Sequence, residues 1–214
     1  MELEHVTPEE IERRSFEIIT EELEKSGVDI SSFDERELNV VKRCIHTTAD
    51  FDYINTMHFS KGAVDEMAVL ISDGAVIVTD TNMALAGINK KELLRYGCEA
   101  RCFMADPETA KEAARLKTTR ASVSIRHAMK IEKPVIFVIG NAPTALITLR
   151  EYYDRGEYEP AFIVGVPVGF VNVVQAKELI LKTGIPCIIN TGRKGGSNVA
   201  AAIVNAVLYS MREK

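Results

Sequence analysis

Cysteine is scarce in this chain and poorly spaced for metal or redox chemistry. Of Cys44, Cys98, Cys102 and Cys187, only the middle two lie close together. Their separation fits neither a zinc knuckle nor a CxxC redox pair, so reduced, mostly buried thiols in a cytoplasmic protein are expected. Excess positive charge is also lacking. The net charge is −5, which argues against a general affinity for nucleic acid or an anionic membrane. Long apolar runs are missing: the longest, residues 161–174, contains Gly165, Pro167 and Gly169 and falls short of a membrane-spanning helix. The opening Met1-Glu2-Leu3-Glu4 has no basic segment leading into an apolar one, so a secretory signal is not expected. No GxGxxG follows a β-rich run, no Walker A loop occurs, and no GxSxG elbow is present. The four histidines, His5, His46, His58 and His127, show no metal-ligand spacing. Neither a dinucleotide fingerprint, a metal site nor a serine hydrolase is supported.

What remains is an ordinary globular balance, 46% apolar and 27% charged over 214 residues, which suits one α/β domain with a substantial core. Five short β-rich runs, at 75–79, 100–104, 135–139, 162–166 and 187–190, are mostly continuous in apolar character. That pattern belongs to parallel strands buried on both faces. Helical segments alternate with them at 107–116, 121–130, 144–153, 173–183 and 198–211. The alternation predicts a doubly wound α/β sandwich around a mainly parallel five-stranded sheet. Two helices precede the first strand. Thr7-Pro8-Glu9-Glu10 offers a cap, a first-turn proline and a capping-box glutamate. Ser32-Phe33-Asp34-Glu35 offers a second capping box for a helix running to about Thr48. On that helix Leu38, Val41 and Ile45 form an apolar stripe, opposite Asn39, Lys42, Arg43 and His46.

In an open α/β sheet, ligands bind beyond the carboxyl ends of the strands. Those ends read Thr79-Asp80-Thr81-Asn82-Met83, Gly140-Asn141-Ala142-Pro143-Thr144, Gly165-Val166-Pro167-Val168-Gly169 and Asn190-Thr191-Gly192-Arg193-Lys194-Gly195-Gly196-Ser197. In the last, glycines let backbone amides approach a ligand, Ser197 can cap the following helix, and Arg193 and Lys194 add positive charge. Such a loop suits a carboxylate or a phosphate. The same composition also suits plain strand–helix turns. His46 falls near a helix C-terminus, which favours a cationic side chain and so a proton donor; it equally fits a solvated polar face. Arg120, at a helix start, suits a bidentate grip on a carboxylate or a surface role. Composition and spacing stop there, at an anion-friendly crevice without a reaction.

Taken together, Arg14-Ser15-Phe16-Glu17-Ile18-Ile19, Arg43-Cys44-Ile45-His46, residues 80–83 with Gly87, Thr119-Arg120, Gly140-Asn141-Ala142-Pro143-Thr144-Ala145-Leu146, Gly165-Val166-Pro167-Val168-Gly169-Phe170-Val171 and Gly195-Gly196-Ser197 resemble the precorrin-8X methylmutase family, also called precorrin isomerases. They occur in family order over nearly the whole chain, so the resemblance implies a single domain over residues 1–214. It implies a flavodoxin-like three-layer fold and a homodimer, with the tetrapyrrole near the subunit interface. It implies a suprafacial 1,5-sigmatropic shift of a methyl group from carbon 11 to carbon 12 of precorrin-8X or cobalt-precorrin-8. The product would be hydrogenobyrinic acid or its cobalt form, with no cofactor and no metal bound by the protein. The family's histidine falls on His46, as the acid that protonates the macrocycle. Its substrate contacts fall on Ser15 and Arg43, and Arg120 matches its arginine as the candidate for a substrate carboxylate; Arg193 and Lys194 would complement more distant carboxylates. Two departures stand out. Thr119-Arg120-Ala121-Ser122 replaces Asn-Thr-Arg-Ser, and the stretch from Asn190 to Lys194 replaces a form with Arg-Gly-Arg-Leu. A non-catalytic tetrapyrrole carrier on the same fold would share these binding features and differ only in what His46 does; a flavodoxin-like nucleotide or flavin module is a second alternative.

Overall fold

The computed structural model describes residues 4–213, so Met1, Glu2 and Leu3, which carry the reading of the chain start, and Lys214 lie outside it. Its strands are β1 (Met57–Phe59), β2 (Val76–Thr79), β3 (Glu99–Arg101), β4 (Val135–Ile139), β5 (Phe162–Gly165) and β6 (Cys187–Asn190), hydrogen-bonded in the order β1-β6-β5-β4-β2-β3. The five expected strands are present and mutually parallel. They follow the flavodoxin-type order, whose direction of winding reverses between β2 and β4. The expectation of five strands needs one correction. A sixth, β1, pairs antiparallel with β6 at the edge. Three residues carry too little periodicity to be read from sequence.

The helices are α1 (Ile11–Ser26), α2 (Glu35–Thr48), α3 (Tyr53–Thr56), α4 (Ala63–Ser72), α5 (Asn82–Gly87), α6 (Lys90–Arg95), α7 (Pro107–Leu116), α8 (Arg120–Ala128), α9 (Pro143–Asp154), α10 (Val173–Leu181) and α11 (Ser197–Ser210). Period-two alternation divides the strands between two cores. Ile77, Ile136, Val138, Phe162, Val164 and Ile188 pack under α11, α2, α4 and α1. Val76, Val78, Phe137, Ile139, Ile163 and Ile189 pack under α8, α9 and α10. Helices on both faces make the expected three-layer α/β/α sandwich.

The expected caps shift. Residues 7–10 form a turn before α1, and the Thr7 hydroxyl donates to the Glu10 carboxylate (2.9 Å) rather than capping the helix. At α2 the capping box is built by Asp34 with Glu37, two residues beyond the expected serine. The buried face of α2 comprises Val40, Val41, Cys44 and Ile45, broader than a single stripe.

Helix α11 is buried almost all round: of the run Val199–Leu208 only Asn205 is more than marginally exposed. Apolar residues on every side fit a helix with the sheet below and α2 above. It therefore fixes where α2 lies. Ile203→Ala, at a fully buried position, is expected to cost about 2–5 kcal/mol in denaturant unfolding. A loss under about 1 kcal/mol would show that α11 is not a packed middle layer.

Candidate active site

The carboxyl ends of β2, β4, β5 and β6 form a crowded rim. Asp80, just past β2, is 2% exposed. Its carboxylate accepts the backbone N–H groups of Gly140 (2.9 Å), Asn141 (2.8 Å) and Ala142 (2.6 Å). Burial pushes this carboxyl up from the usual carboxylate range, and the three amides oppose that by favouring the charged form. Next to it Thr81 caps α5 by accepting from Ala84 N–H at 3.1 Å, and its hydroxyl meets that of Ser197 at 2.7 Å. Ser197 thus links loops instead of capping α11, whose N-cap is Gly196. The loops touch backbone to backbone. A Cβ at Gly140 would lie 2.8 Å from the Ser197 Cα. One at Gly195, where φ is +148°, would collide with the Val166 carbonyl, which in turn accepts the Gly196 N–H at 2.9 Å. Only glycine tolerates such approaches.

The loop from Thr191 to Gly196 is held from beneath. Asn190 is fully buried; its side-chain amide donates to the Lys194 carbonyl at 2.9 Å, and its oxygen accepts the Thr56 hydroxyl at 2.6 Å. The ammonium of Lys177 on α10 donates to the carbonyls of Gly192 and Lys194 at 2.9 and 2.8 Å. From above, the Lys194 side chain bridges Asp50 (2.7 Å) and Asp52 (3.1 Å). Both aspartates lie just beyond α2, which stops at Ala49 in the left-handed conformation (φ 54°). This bridge brings the C-terminal end of α2 to the rim, and with it His46. It also engages Lys194, so of the two expected cations in that loop Arg193 is the one left facing outward: it is exposed and lies 5.3 Å over the Phe170 ring.

The other sequence-derived residues divide into two places. His46 is exposed, 5.5 Å from the Phe16 ring, and among the described residues no hydrogen bond engages its imidazole. Arg43, one turn back, lies 4.6 Å over the same ring and 5.2 Å over Tyr209, and pairs with Glu12 at 2.5 Å. Phe16 therefore gathers Arg43 and His46 around one aromatic face. Ser15 precedes Phe16 on α1, where its hydroxyl donates to the Ile11 carbonyl at 2.8 Å. Arg120 stands apart on the other side of the sheet, as the exposed first residue of α8. Thr119, which caps α8, is joined to Thr144 on α9 at 3.1 Å, so Arg120 reaches the same rim from the opposite face. His127 is structural: it lies 2.9 Å from Glu112 and 3.2 Å from Thr109, joining α8 to α7.

An open groove of about 410 Å³ between α1, α2 and the end of α11 includes Phe16 and Arg43 but not His46. Glu9 and Glu12 also line it, as does Arg13, so the two carboxylates offset the two guanidiniums and the groove has no excess positive charge to draw an anion. The rim, with Arg193, Arg120 and the His46 end of α2, suits an anion better. In the Arg43–Glu12 pair the arginine is mostly buried against Phe16 and Tyr209 while Glu12 is exposed, so a ligand carboxylate that meets Arg43 must take the place of Glu12. Sequence reasoning missed the roles of Asp80, Lys177, Asn190 and the Lys194 bridge. Asp80 was visible in a motif, but its partners lie about sixty residues downstream.

The chain is similar to known proteins over nearly its whole length. The precorrin-8X methylmutase family pattern matches residues 10–210. A cobalt-precorrin-8 methylmutase of Salmonella typhimurium is 42% identical over 207 residues, covering 96% of this chain and 97% of that protein. A precorrin-8X methylmutase of Pseudomonas aeruginosa is 35% identical over 92% of this chain and 93% of its own. The crystal structure of precorrin-8x methyl mutase from Thermus thermophilus superposes with a TM-score of 0.84 at 36% identity, covering 95% of this chain and 98% of that one.

Asp80→Ala leaves three amides without their acceptor and is expected to lower stability by about 1–3 kcal/mol. Asp80→Asn, which keeps an acceptor oxygen, is expected to lose less. Equal unfolding midpoints for Asp80→Ala and wild type would show that the clamp does not hold the rim.

Proposed function

The chain belongs to the precorrin-8X methylmutase family, and from that premise we propose how its residues carry the methyl shift of cobalamin biosynthesis. The enzyme is an isomerase, an intramolecular methyl transferase. His46, in its imidazolium form, donates a proton to the macrocycle of precorrin-8X or cobalt-precorrin-8. The protonated π system then lets the bond between carbon 11 and its methyl group break as the bond to carbon 12 forms on the same face. The proton returns to His46, so atoms and charge balance and no cofactor is consumed. Arg43 and Ser15 position the substrate beside this acid, and Arg120 and Arg193 hold carboxylates of the ring periphery. The observation that carries this reading is His46 exposed on the last turn of α2, sharing the Phe16 face with Arg43.

A polycarboxylate substrate also accounts for cationic groups gathered on the rim of a protein with net charge −5. The same proposal includes a single domain, a homodimer and a cytoplasmic location. Exposed Met83 in the first turn of α5, with Val168, Phe170 and Val171 between β5 and α10, supports an apolar contact with a second subunit. Four unpaired cysteines suit a reducing compartment. Among the described residues no helix is long and apolar enough to cross a membrane.

A visible-spectrum turnover assay with precorrin-8X, and separately with its cobalt complex, tests the assignment. Wild type is expected to convert at least one, with the faster substrate marking the route. His46→Ala, an exposed change, is expected to keep its fold and pigment binding while turnover falls about 10²–10⁴-fold. Near wild-type turnover in that variant would remove His46 as the acid, and binding of both pigments without conversion would point to a carrier.

A further inference from the structure

Lys177 is a buried cation that the proposed chemistry does not use. It has no exposed surface, and its two hydrogen-bond partners, the carbonyls of Gly192 and Lys194, are neutral dipoles. An ammonium buried without a carboxylate is costly, and burial lowers its pKa to about 8. An apolar side chain of similar length would fill the space without that cost. The cation must therefore secure something that an apolar group cannot.

Its two partners are alternate residues of one loop. With the carbonyls of Gly192 and Lys194 both turned inward to the same ammonium, the residue between them is turned out. Arg193 is exposed against the Phe170 ring, and its own carbonyl accepts the Gly169 N–H at 3.1 Å. The side chain of Lys194 is directed separately to Asp50 and Asp52 beside α2. The inward carbonyls thus set the direction in which the loop presents its free cation. Asn190 shares the Lys194 carbonyl, whereas the Gly192 carbonyl is taken by Lys177.

We propose that Lys177 is a positioning residue for substrate binding, which fixes the backbone on either side of Arg193 so that its guanidinium meets a carboxylate of the tetrapyrrole. The inference rests on the reading of Arg193 given above. It predicts a defect in binding rather than in the proton-transfer step, because Lys177 touches neither His46 nor the ligand. A loss of uniform binding raises KM and leaves kcat unchanged.

The test compares wild type, Lys177→Met, Lys177→Gln, Arg193→Ala and the double variant Lys177→Met/Arg193→Ala, using whichever of precorrin-8X and cobalt-precorrin-8 wild type converts. Arg193→Ala is expected to raise KM about tenfold, the loss of roughly one charge-assisted contact, with kcat within about twofold. Lys177→Met is expected to do the same, and Lys177→Gln, whose amide can still reach one carbonyl, to fall between it and wild type. The double variant is expected to be no worse than the weaker-binding single variant, because both changes remove one interaction. A normal KM in Lys177→Met with only a lowered melting temperature would overturn the proposal. So would multiplicative KM effects in the double variant, or failure of both Lys177 variants to fold. A normal KM in Arg193→Ala would instead remove the reading of Arg193 on which the inference rests.

Discussion

Asp80 accepts three backbone N–H groups from the turn at the head of α9, and the geometry of the rim is registered to that contact. It joins the two strands, β2 and β4, between which the direction of winding reverses. The neighbouring Thr81 then reaches Ser197, so the start of α11 is tied to the same point. Because α11 is buried between sheet and α2, its placement determines that of α2, and the last turn of α2 carries His46. A carboxylate with no evident reactive role thereby sets the position of the proposed acid through two packed layers.

A second set of contacts completes the arrangement. The β6–α11 loop is held by Lys177 and Asn190 from below and by Lys194 with Asp50 and Asp52 from above. The upper bridge is largely exposed and so worth little by itself. Its role is geometric, since it joins the loop bearing Arg193 to the segment just beyond His46. Glycine at 140 and 195 permits this, because the loops pack closer than any Cβ allows. Stability and function meet here: the residues that crowd the rim are turned inward, and the side chains left facing outward include Arg193, Arg120, His46 and the apolar groups around Phe170.

Much of the fold was legible in the sequence because its strands are short continuous apolar runs, which occur where both faces of a sheet are covered. Helix α7 is found at the residues expected, and α8 to α11 to within two residues at each end, because their apolar spacing and flanking turns are strong local signals. The edge strand β1 was not legible, since Met57–Phe59 pairs only by virtue of β6, more than a hundred residues away. The cap at Thr7 failed for the reverse reason: a local motif was present, but the chain used it for a turn. The site shows the same division. His46, Arg43 and Ser15 could be named from motifs, and their helices place the first two around Phe16. The pairings that shape the rim, Lys177 with two carbonyls and Lys194 with two aspartates, depend on tertiary proximity that no spacing encodes. Lys177 in particular reads in sequence as one more helix-surface lysine.

The central claim is that the substrate lies on the rim, against the end of α2 and the β6–α11 loop, and reaches only the Phe16–Arg43 edge of the groove between α1 and the end of α11. Amide hydrogen exchange of wild type, with and without bound hydrogenobyrinic acid, tests it most directly. The account predicts slowed exchange at residues 46–52, 166–172 and 191–196, with residues 9–13 and 206–210 unchanged. Protection confined to residues 9–13 and 206–210 would contradict it, and would move the site to the groove lined by Glu9 and Glu12.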